Sequence, residues 1–133
     1  MKNENRKNGT AFEQRLCLSL SAYGFWAHNL AQNKQGQPFD VIAARNGQVH
    51  PIDCKVCEKD VFKSSRIEEN QSSAMTLWSE TGNGDGWFAL EMSNSAVYFI
   101  SFDILTFLNK PSLSAAEIKK IGIPLREWVE RCA

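Results

Sequence analysis

The segment FDVIAARNGQVHPIDCKV, residues 39–56, places an Asn46-Gly47 dipeptide between two runs of strand-forming residues. Asn-Gly favours the two-residue turn of a β-hairpin, because both turn positions need a positive φ. If these two residues form the loop, counting back along both strands sets Asp40 opposite Asp53. The segment therefore predicts a hairpin that brings two carboxylates together.

Lys55 lies two residues beyond Asp53 on the same strand, so we expect it on the same face as both aspartates. Carboxylates opposed in a sheet repel each other, and a cation is expected between them. Hard divalent cations take oxygen ligands from one or two carboxylates. Phosphodiester hydrolysis uses such an ion together with a group that orients or deprotonates water or stabilises charge on the phosphate. The hairpin therefore predicts a divalent metal site with Lys55 in that second role.

Apolar residues occur on both faces of the predicted hairpin. Val41 and Ile52 point one way, while Ile42 and Ala44 point the other. Antiparallel sheets with one solvated face show apolar residues on the other face alone. The pattern therefore predicts a sheet that is covered on both sides.

The remaining chain predicts a single α/β domain spanning residues 1–133, with a mixed five-stranded sheet flanked by helices in the order α-β-β-β-α-β-β-α. Residues 1–8 are expected to be a loose arm, and the chain from residue 102 onward a helical tail. In the second helix, the apolar residues Ile67, Ala74, Leu77 and Trp78 are expected to point inward. The predicted elements are a helix over 10–23, a strand over 25–29, a polar loop over 31–37, the hairpin over 39–56, a helix over 66–80 and strands over 87–92 and 96–100.

The composition bounds the class of protein. The chain has 133 residues, of which 43% are hydrophobic and 23% charged, as in a globular domain. Its formal net charge is zero, so bulk electrostatics does not indicate a nucleic-acid partner. No apolar run approaches the roughly 18 residues of a membrane span, and a soluble, cytoplasmic protein with no membrane partner is expected. Cys54 and Cys57 lack the further ligands of a closed zinc site and are expected to be reduced, buried thiols.

The order of the acidic residues and the lysine resembles the PD-(D/E)xK nuclease superfamily. Asp40 is followed thirteen residues later by Asp53-x-Lys55, and a helix carrying Glu13 precedes both. The sequence Phe39-Asp40 departs slightly from the literal Pro-Asp, and Asp53 stands where glutamate is more frequent. The resemblance implies a restriction-endonuclease-like core.

Motifs downstream of the hairpin resemble the RecU-type Holliday junction resolvases within that superfamily. Phe62-Lys63, Arg66, Asn70-Gln71 and a strand at residues 86–90 follow in this order. The resemblance spans about residues 9–108. It implies a divalent-metal-dependent endonuclease that resolves branched DNA in recombination or repair, as a homodimer.

The resemblance also assigns roles to residues. Glu13, Asp40, Asp53 and the backbone carbonyl of Cys54 would bind Mg²⁺, with Mn²⁺ as a substitute. Lys55 would be catalytic together with Asp53. Gln71, from the second helix, would approach the attacking water or the scissile phosphate.

Several residues also have ordinary structural interpretations. Thr10-Ala-Phe-Glu13 matches a helix capping box, which gives Glu13 a structural role instead. Gln71 is of a type common on helix surfaces. Trp26 and His28 flank the predicted cleft, where they either contact DNA or are ordinary surface residues. Three basic residues near the site either contact DNA phosphates or belong to a solvated loop: Lys59, Lys63 and Arg66.

Two alternative functions remain open at the level of the sequence. RecU-type enzymes carry a long stalk before the first catalytic aspartate, whereas only residues 30–37 stand in that place here. A restriction- or repair-type nuclease that cuts linear or nicked DNA is therefore one alternative. A protein of the same fold that binds nucleic acid without cutting is the other.

Overall fold

The computed structural model describes residues 2–30 and 38–132, and side chains from residue 9 onward within those ranges. The polar loop predicted over 31–37 lies outside the described residues. The helices are α1 (Lys2–Ala22), α2 (Glu69–Glu80), α3 (Phe102–Leu108), α4 (Ala115–Ile121) and α5 (Leu125–Arg131), with a 3₁₀ turn at Ser64–Arg66. The strands are β1 (Trp26–Asn29), β2 (Val41–Arg45), β3 (Gln48–Cys57), β4 (Phe62–Lys63), β5 (Trp87–Met92), β6 (Val97–Ser101), β7 (Ser112–Leu113) and β8 (Ile123–Pro124).

A six-stranded mixed sheet organises the domain, in the order β1-β2-β3-β5-β6-β8. The central pair β3 and β5 is parallel, and the other pairs in this sheet are antiparallel. The α/β class, the mixed sheet and the five long strands are confirmed. The sixth strand and the small β4–β7 sheet were not predicted, because each of these strands has only two residues and shows no alternation.

The β2–β3 hairpin has the predicted register from Val41–Ile52 to Arg45–Gln48. Asn46 and Gly47 have φ of 54° and 76°, as the turn requires. Pro51 pairs with Ile42, and pairing of β3 with β5 begins only at Ile52. The missing N–H of Pro51 therefore interrupts no ladder.

Two core clusters lie on opposite faces of the sheet, so its central strands are covered on both sides. The first contains α1 residues such as Phe12 and Leu16 packed with Val41, Ile52 and Trp128. The second lies on the α2 side and includes Cys57, Phe62, Met75, Phe88, Leu90 and Ile100. Residues of β3 therefore alternate between the clusters, with Ile52 and Cys54 on the α1 side and Asp53, Lys55 and Cys57 on the other. The hairpin on which the prediction rested is covered on the α1 face alone, because Ile42, Ala44 and Val49 belong to neither cluster and Val49 is 37% exposed.

The predicted helix boundaries need correction. α1 begins at Lys2, so residues 2–8 continue the helix instead of forming a loose arm. Lysine, glutamate and arginine in this segment are good helix formers, which allows the helix to extend past Gly9. In α2 the buried residues are Gln71 and Met75, while Leu77 is 64% exposed. The expectation that Leu77 points inward is wrong, because at about 3.6 residues per turn Leu77 lies about 200° around the helix from the buried Met75.

No helix in the described ranges is sufficiently long and apolar to span a lipid bilayer.

Candidate active site

The site lies where β2 ends and β3 continues. Regular pairing stops at Val41–Ile52, and the chain bends at Asp40. The Asp40 N–H donates to the Ile52 carbonyl at 3.0 Å, and its carboxylate Oδ2 accepts from the Cys54 N–H at 2.7 Å. Asp40 and Asp53 are neighbours as predicted, but through this bend and not as a regular cross-strand pair.

Asp53 is the most enclosed acidic group of the site, with 0% of its surface exposed. Within residues 9–30 and 38–132, neither of its carboxylate oxygens accepts a hydrogen bond of ordinary geometry. The ammonium group of Lys55 lies 3.3 Å from Asp53 Oδ1, which makes an ion pair without a directed hydrogen bond. A buried carboxylate that accepts no hydrogen bond is suited to bind a cation.

Glu13 reaches the same place from α1 and is 8% exposed. Its side chain hydrogen-bonds with those of Asp40 and Asn29. Because α1 begins at Lys2, Thr10 lies inside the helix and cannot be the residue that caps its start. The capping interpretation of Glu13 is therefore wrong, and its role in the site stays a prediction.

Gln71 joins the site from the first turn of α2. Its Oε1 accepts from Lys55 Nζ at 3.2 Å and from the Glu68 backbone N–H at 3.1 Å. The same side chain thus completes the start of the helix and holds the lysine. The interpretation of Gln71 as an ordinary surface residue is wrong, since it is 6% exposed.

Burial and mutual repulsion raise the pKa values of two carboxyl groups. Burial, and then the Asp40 carboxylate, raise the pKa of Glu13 to about 7. The same two causes raise the pKa of Asp53 well above its usual value, and Lys55 opposes this shift. Without a cation, protons therefore remain on these groups far above the usual range for carboxylic acids.

The cysteines contribute no thiolate. All four are free and buried, as expected. Burial, and then Asp40, raise the pKa of the Cys54 thiol well above its usual value, so the thiol stays protonated. In a strand, the N–H and C=O of one residue point to the same side. The Cys54 carbonyl is therefore directed toward the gap that Asp40 occupies, and it is the group of this residue available to an ion.

The donor set fits a small divalent cation better than a soft metal. Within the described residues, no three side chains of histidine, cysteine, aspartate or glutamate form a ready metal-binding cluster. The carboxylates contact one another in pairs, Glu13 with Asp40 and Asp40 with Asp53. Mg²⁺ requires only one or two carboxylates and keeps several waters. Asp40, Asp53 and the Cys54 carbonyl could hold such an ion, with Glu13 beside them.

The raised pKa values predict that divalent cations stabilise the protein more at pH 8 than at pH 6. Metal binding requires deprotonated carboxylates, so it competes with protons on Glu13 and Asp53. Both pKa values are raised on folding, so the metal-free protein loses stability as pH rises, for Glu13 from about 4.5 through about 7 and for Asp53 above its usual pKa. Thermal unfolding with Mn²⁺ or EDTA should show the gap widening across this range. An equal gap at both pH values would contradict the prediction.

Comparison with known proteins identifies the family. A profile of the archaeal Holliday junction resolvase (Hjc) family matches residues 4–133. The chain belongs to this Hjc family. It is 29% identical to the crossover junction endodeoxyribonuclease Hjc of Methanocaldococcus jannaschii over 131 residues, which are 98% of this chain and 92% of that protein. The predicted PD-(D/E)xK nuclease of Holliday junction resolvase type is confirmed, and its branch is Hjc, where the sequence motifs pointed to RecU.

The fold agrees with a solved Hjc structure. The Hjc Holliday junction resolvase of Archaeoglobus fulgidus superposes with a TM-score of 0.72 at 18% identity, covering 92% of this chain and 96% of that one. A restriction-endonuclease-like core is consistent with this likeness. This chain and the Archaeoglobus fulgidus structure therefore share one fold.

The three basic residues predicted to contact DNA differ in their surroundings. Lys59, Lys63 and Arg66 are all exposed beyond the end of β3. Arg66 donates to the Val56 carbonyl at 2.8 Å, so its guanidinium already holds the backbone. In this Hjc-family protein, Lys59 and Lys63 are the better candidates for phosphate contacts.

Asn29 is a site residue that the sequence did not reveal. It ends β1, and its side chain hydrogen-bonds with Glu13 on α1. No spacing rule connects these two positions, because the contact depends on the edge strand lying beside the helix. Asn29 can therefore be identified only from the tertiary structure.

Proposed function

We propose that this chain cuts Holliday junctions as a divalent-metal-dependent endonuclease, with Mg²⁺ as its ion and Mn²⁺ as a substitute. The observation that carries the proposal is the convergence of Asp40, Asp53 and Lys55 in the gap beyond β2, with Glu13 beside them. The names of the Hjc relatives support branched DNA as the substrate.

The carboxylates and one carbonyl would hold the ion. Asp40 and Asp53 would be its principal ligands, the Cys54 carbonyl would add an oxygen, and Glu13 would complete the acidic edge of the site. When bound, the cation supplies the Lewis acid that polarises the scissile phosphate. It also removes the need for protons on the two carboxyl groups whose pKa values are raised.

Lys55 is the side chain that acts directly on the attacking water or the phosphate. Its ammonium group has three donors, and Asp53 and Gln71 are 3.3 and 3.2 Å away. The hydrogen bond to Gln71 and the ion pair with Asp53 fix the position of Lys55, and its ammonium group keeps donors for the attacking water or a phosphate oxygen. Gln71 positions Lys55 and, through it, the group on which Lys55 acts.

We extend the proposal to a homodimer that acts on DNA in the cytoplasm, in recombination or repair. A Holliday junction has two strands that must be cut symmetrically, and a two-fold dimer presents two identical sites. Multi-angle light scattering of the purified protein tests this part. A mass of about twice 15.0 kDa is expected, and a monomer at micromolar concentration would contradict it.

Cleavage of defined DNA tests the activity itself. A four-way junction, its component duplex arms, a nicked duplex and single strands are incubated with Mg²⁺, Mn²⁺ or EDTA. Metal-dependent, paired cuts in the junction alone are expected. Equal cutting of the duplex arms would favour the restriction- or repair-type nuclease, and no cutting with any metal would favour a protein that only binds DNA.

Removing Lys59 and Lys63 together is expected to weaken binding to every DNA about equally. Phosphate contacts release counterions and carry no sequence information directly. For the double alanine variant, the slope of log K against log salt should fall by about 2. Lys120→Ala, which removes an exposed lysine on α4, is the control and should leave the slope unchanged. An unaltered slope in the double variant would show that these lysines belong to a solvated loop.

A further inference from the structure

An exposed aromatic pair, whose role the sequence left open between DNA contact and plain surface, lies on the edge strand β1. Trp26 is 59% exposed, and its ring lies 4.3 Å from that of His28 at an angle of 39°. Tryptophan is a residue that folding normally buries to a large extent. An exposed tryptophan whose ring lies tilted against a second exposed ring offers an apolar surface to a binding partner.

Strand register sets this pair on the sheet face that carries the catalytic groups. Trp26 pairs with Ala44, and His28 pairs with Ile42. These β2 residues alternate with the ones that pack beneath α1 in the first core cluster. Trp26 and His28 therefore point away from α1, to the same side as Asp53.

The face around the pair is open. On this side the second core cluster draws residues from β3, β5 and β6 but, among the described residues, none from β1 or β2. Val49, opposite Ala44, is likewise exposed. We call the surface formed by Trp26, His28, Ile42, Ala44 and Val49 the aromatic shelf.

The aromatic shelf is continuous with the site. Leu30 directly follows the last residue of β1, and its N–H donates to the Asp40 carbonyl at 2.9 Å. At about 3.3 Å per strand residue, His28 and Trp26 lie about 7 and 13 Å along the strand from that level. Since each nucleotide of a duplex strand rises about 3.4 Å, these are about two and four steps. A strand held at the site reaches the shelf within a few nucleotides.

We infer that the aromatic shelf stacks on a nucleobase face exposed at the branch of a DNA junction, and that this contact distinguishes a junction from a duplex. The inference rests on the proposed function. Every base of a continuous duplex is already stacked, whereas a branch interrupts the stack. Aromatic side chains bind any exposed base, because every base has a π-face. With a net charge of zero, the protein gains little from general attraction to phosphates, so a contact specific to branches has more influence on its choice.

The test compares binding of a four-way junction and of its duplex arms, with Ca²⁺ as the divalent ion. Trp26→Ala is expected to weaken junction binding about tenfold or more and to leave duplex binding unchanged. Trp26→Phe should keep most of the preference. Phe107→Ala removes an aromatic side chain that is 87% exposed on α3, and as the control it should change neither affinity. A 2-aminopurine at the branch should be quenched by the original protein and not by Trp26→Ala.

The possible outcomes distinguish failure of the shelf inference from failure of the proposed junction-specific function. If the original protein binds junction and duplex equally, the proposed junction-specific function is wrong. If it prefers the junction and Trp26→Ala retains that preference, the function stands and the shelf inference is overturned. A change of oligomeric mass in Trp26→Ala would also overturn it, because the shelf would then bind a second copy of the chain. Since Trp26 is exposed, circular dichroism should show the variant folded.

Discussion

Asp53→Asn is expected to lower the rate of junction cleavage about a thousandfold or more and, at pH 8, to raise the unfolding temperature of the metal-free protein. The first effect follows from the loss of a principal ligand, since a bound ion supplies much of the catalysis in phosphodiester hydrolysis. The second follows because the Asp53 carboxyl is fully buried beside Asp40, and without a cation its negative charge is costly. Asparagine has the same shape and no charge. A rise of about 2–5 °C is expected.

Opposite changes in activity and stability are the signature that separates a ligand from a structural residue. Single-turnover cleavage with Mg²⁺ and thermal unfolding in EDTA measure the two quantities. Asp85→Asn is the matched control, because burial and then Asp103 raise the pKa of Asp85 on a loop away from the site. It should leave cleavage unchanged. If Asp53→Asn retained cleavage, or unfolded at a lower temperature without metal, the assignment would be wrong.

Lys55→Ala is expected to reduce cleavage by about two to four orders of magnitude while preserving metal binding. Groups that donate to or accept from the reacting atoms contribute on this scale. Lys55 is a cation 3.3 Å from Asp53, so its loss removes a charge that repels a divalent ion. Calorimetric titration with Mn²⁺ should therefore show equal or tighter binding in the variant, in contrast to Asp53→Asn.

Two further variants sharpen this test. Lys55→Arg keeps the charge but replaces a compact ammonium with a planar fork, and it should recover little activity. Lys120→Ala removes a lysine at an exposed position on α4 and should behave as the original protein. Full cleavage by Lys55→Ala would exclude a catalytic role. Complete loss of Mn²⁺ binding would instead indicate that Lys55 shapes the metal site.

The hairpin was predictable because its information is local. Asn46-Gly47 fixes the turn, and alternation fixes the register as far as Val41–Ile52. The sequence did not predict that pairing stops there and that Asp40 turns its carboxylate toward the Cys54 N–H. The bend occurs where the five-residue strand β2 ends beside the ten-residue strand β3. The alternation of residues on one strand does not show where its partner strand ends.

Helix boundaries and contacts between elements were harder to predict. The Thr10-to-Glu13 pattern indicated a helix start, yet good helix formers continue α1 back to Lys2. Glu68 is the N-cap of α2 and Gln71 is at its N3 position. Glutamate is not a usual N-cap residue, so the residue pattern was only a weak signal for the start of this helix. The contact of Asn29 with Glu13 joins an edge strand to a helix, and only the folded chain brings them together.

In the proposed mechanism, Gln71 links the folding of α2 to catalysis. One carbonyl oxygen accepts from the Glu68 N–H, which helps to hold the first turn of α2, and from the ammonium group of Lys55. Helix ends open far more readily than the body of a domain. Whenever this turn frays, the lysine loses one of its two anchors while the sheet remains intact. If Lys55 acts as proposed, the active arrangement is a local equilibrium, and heat or denaturant should inactivate the protein before the whole domain unfolds.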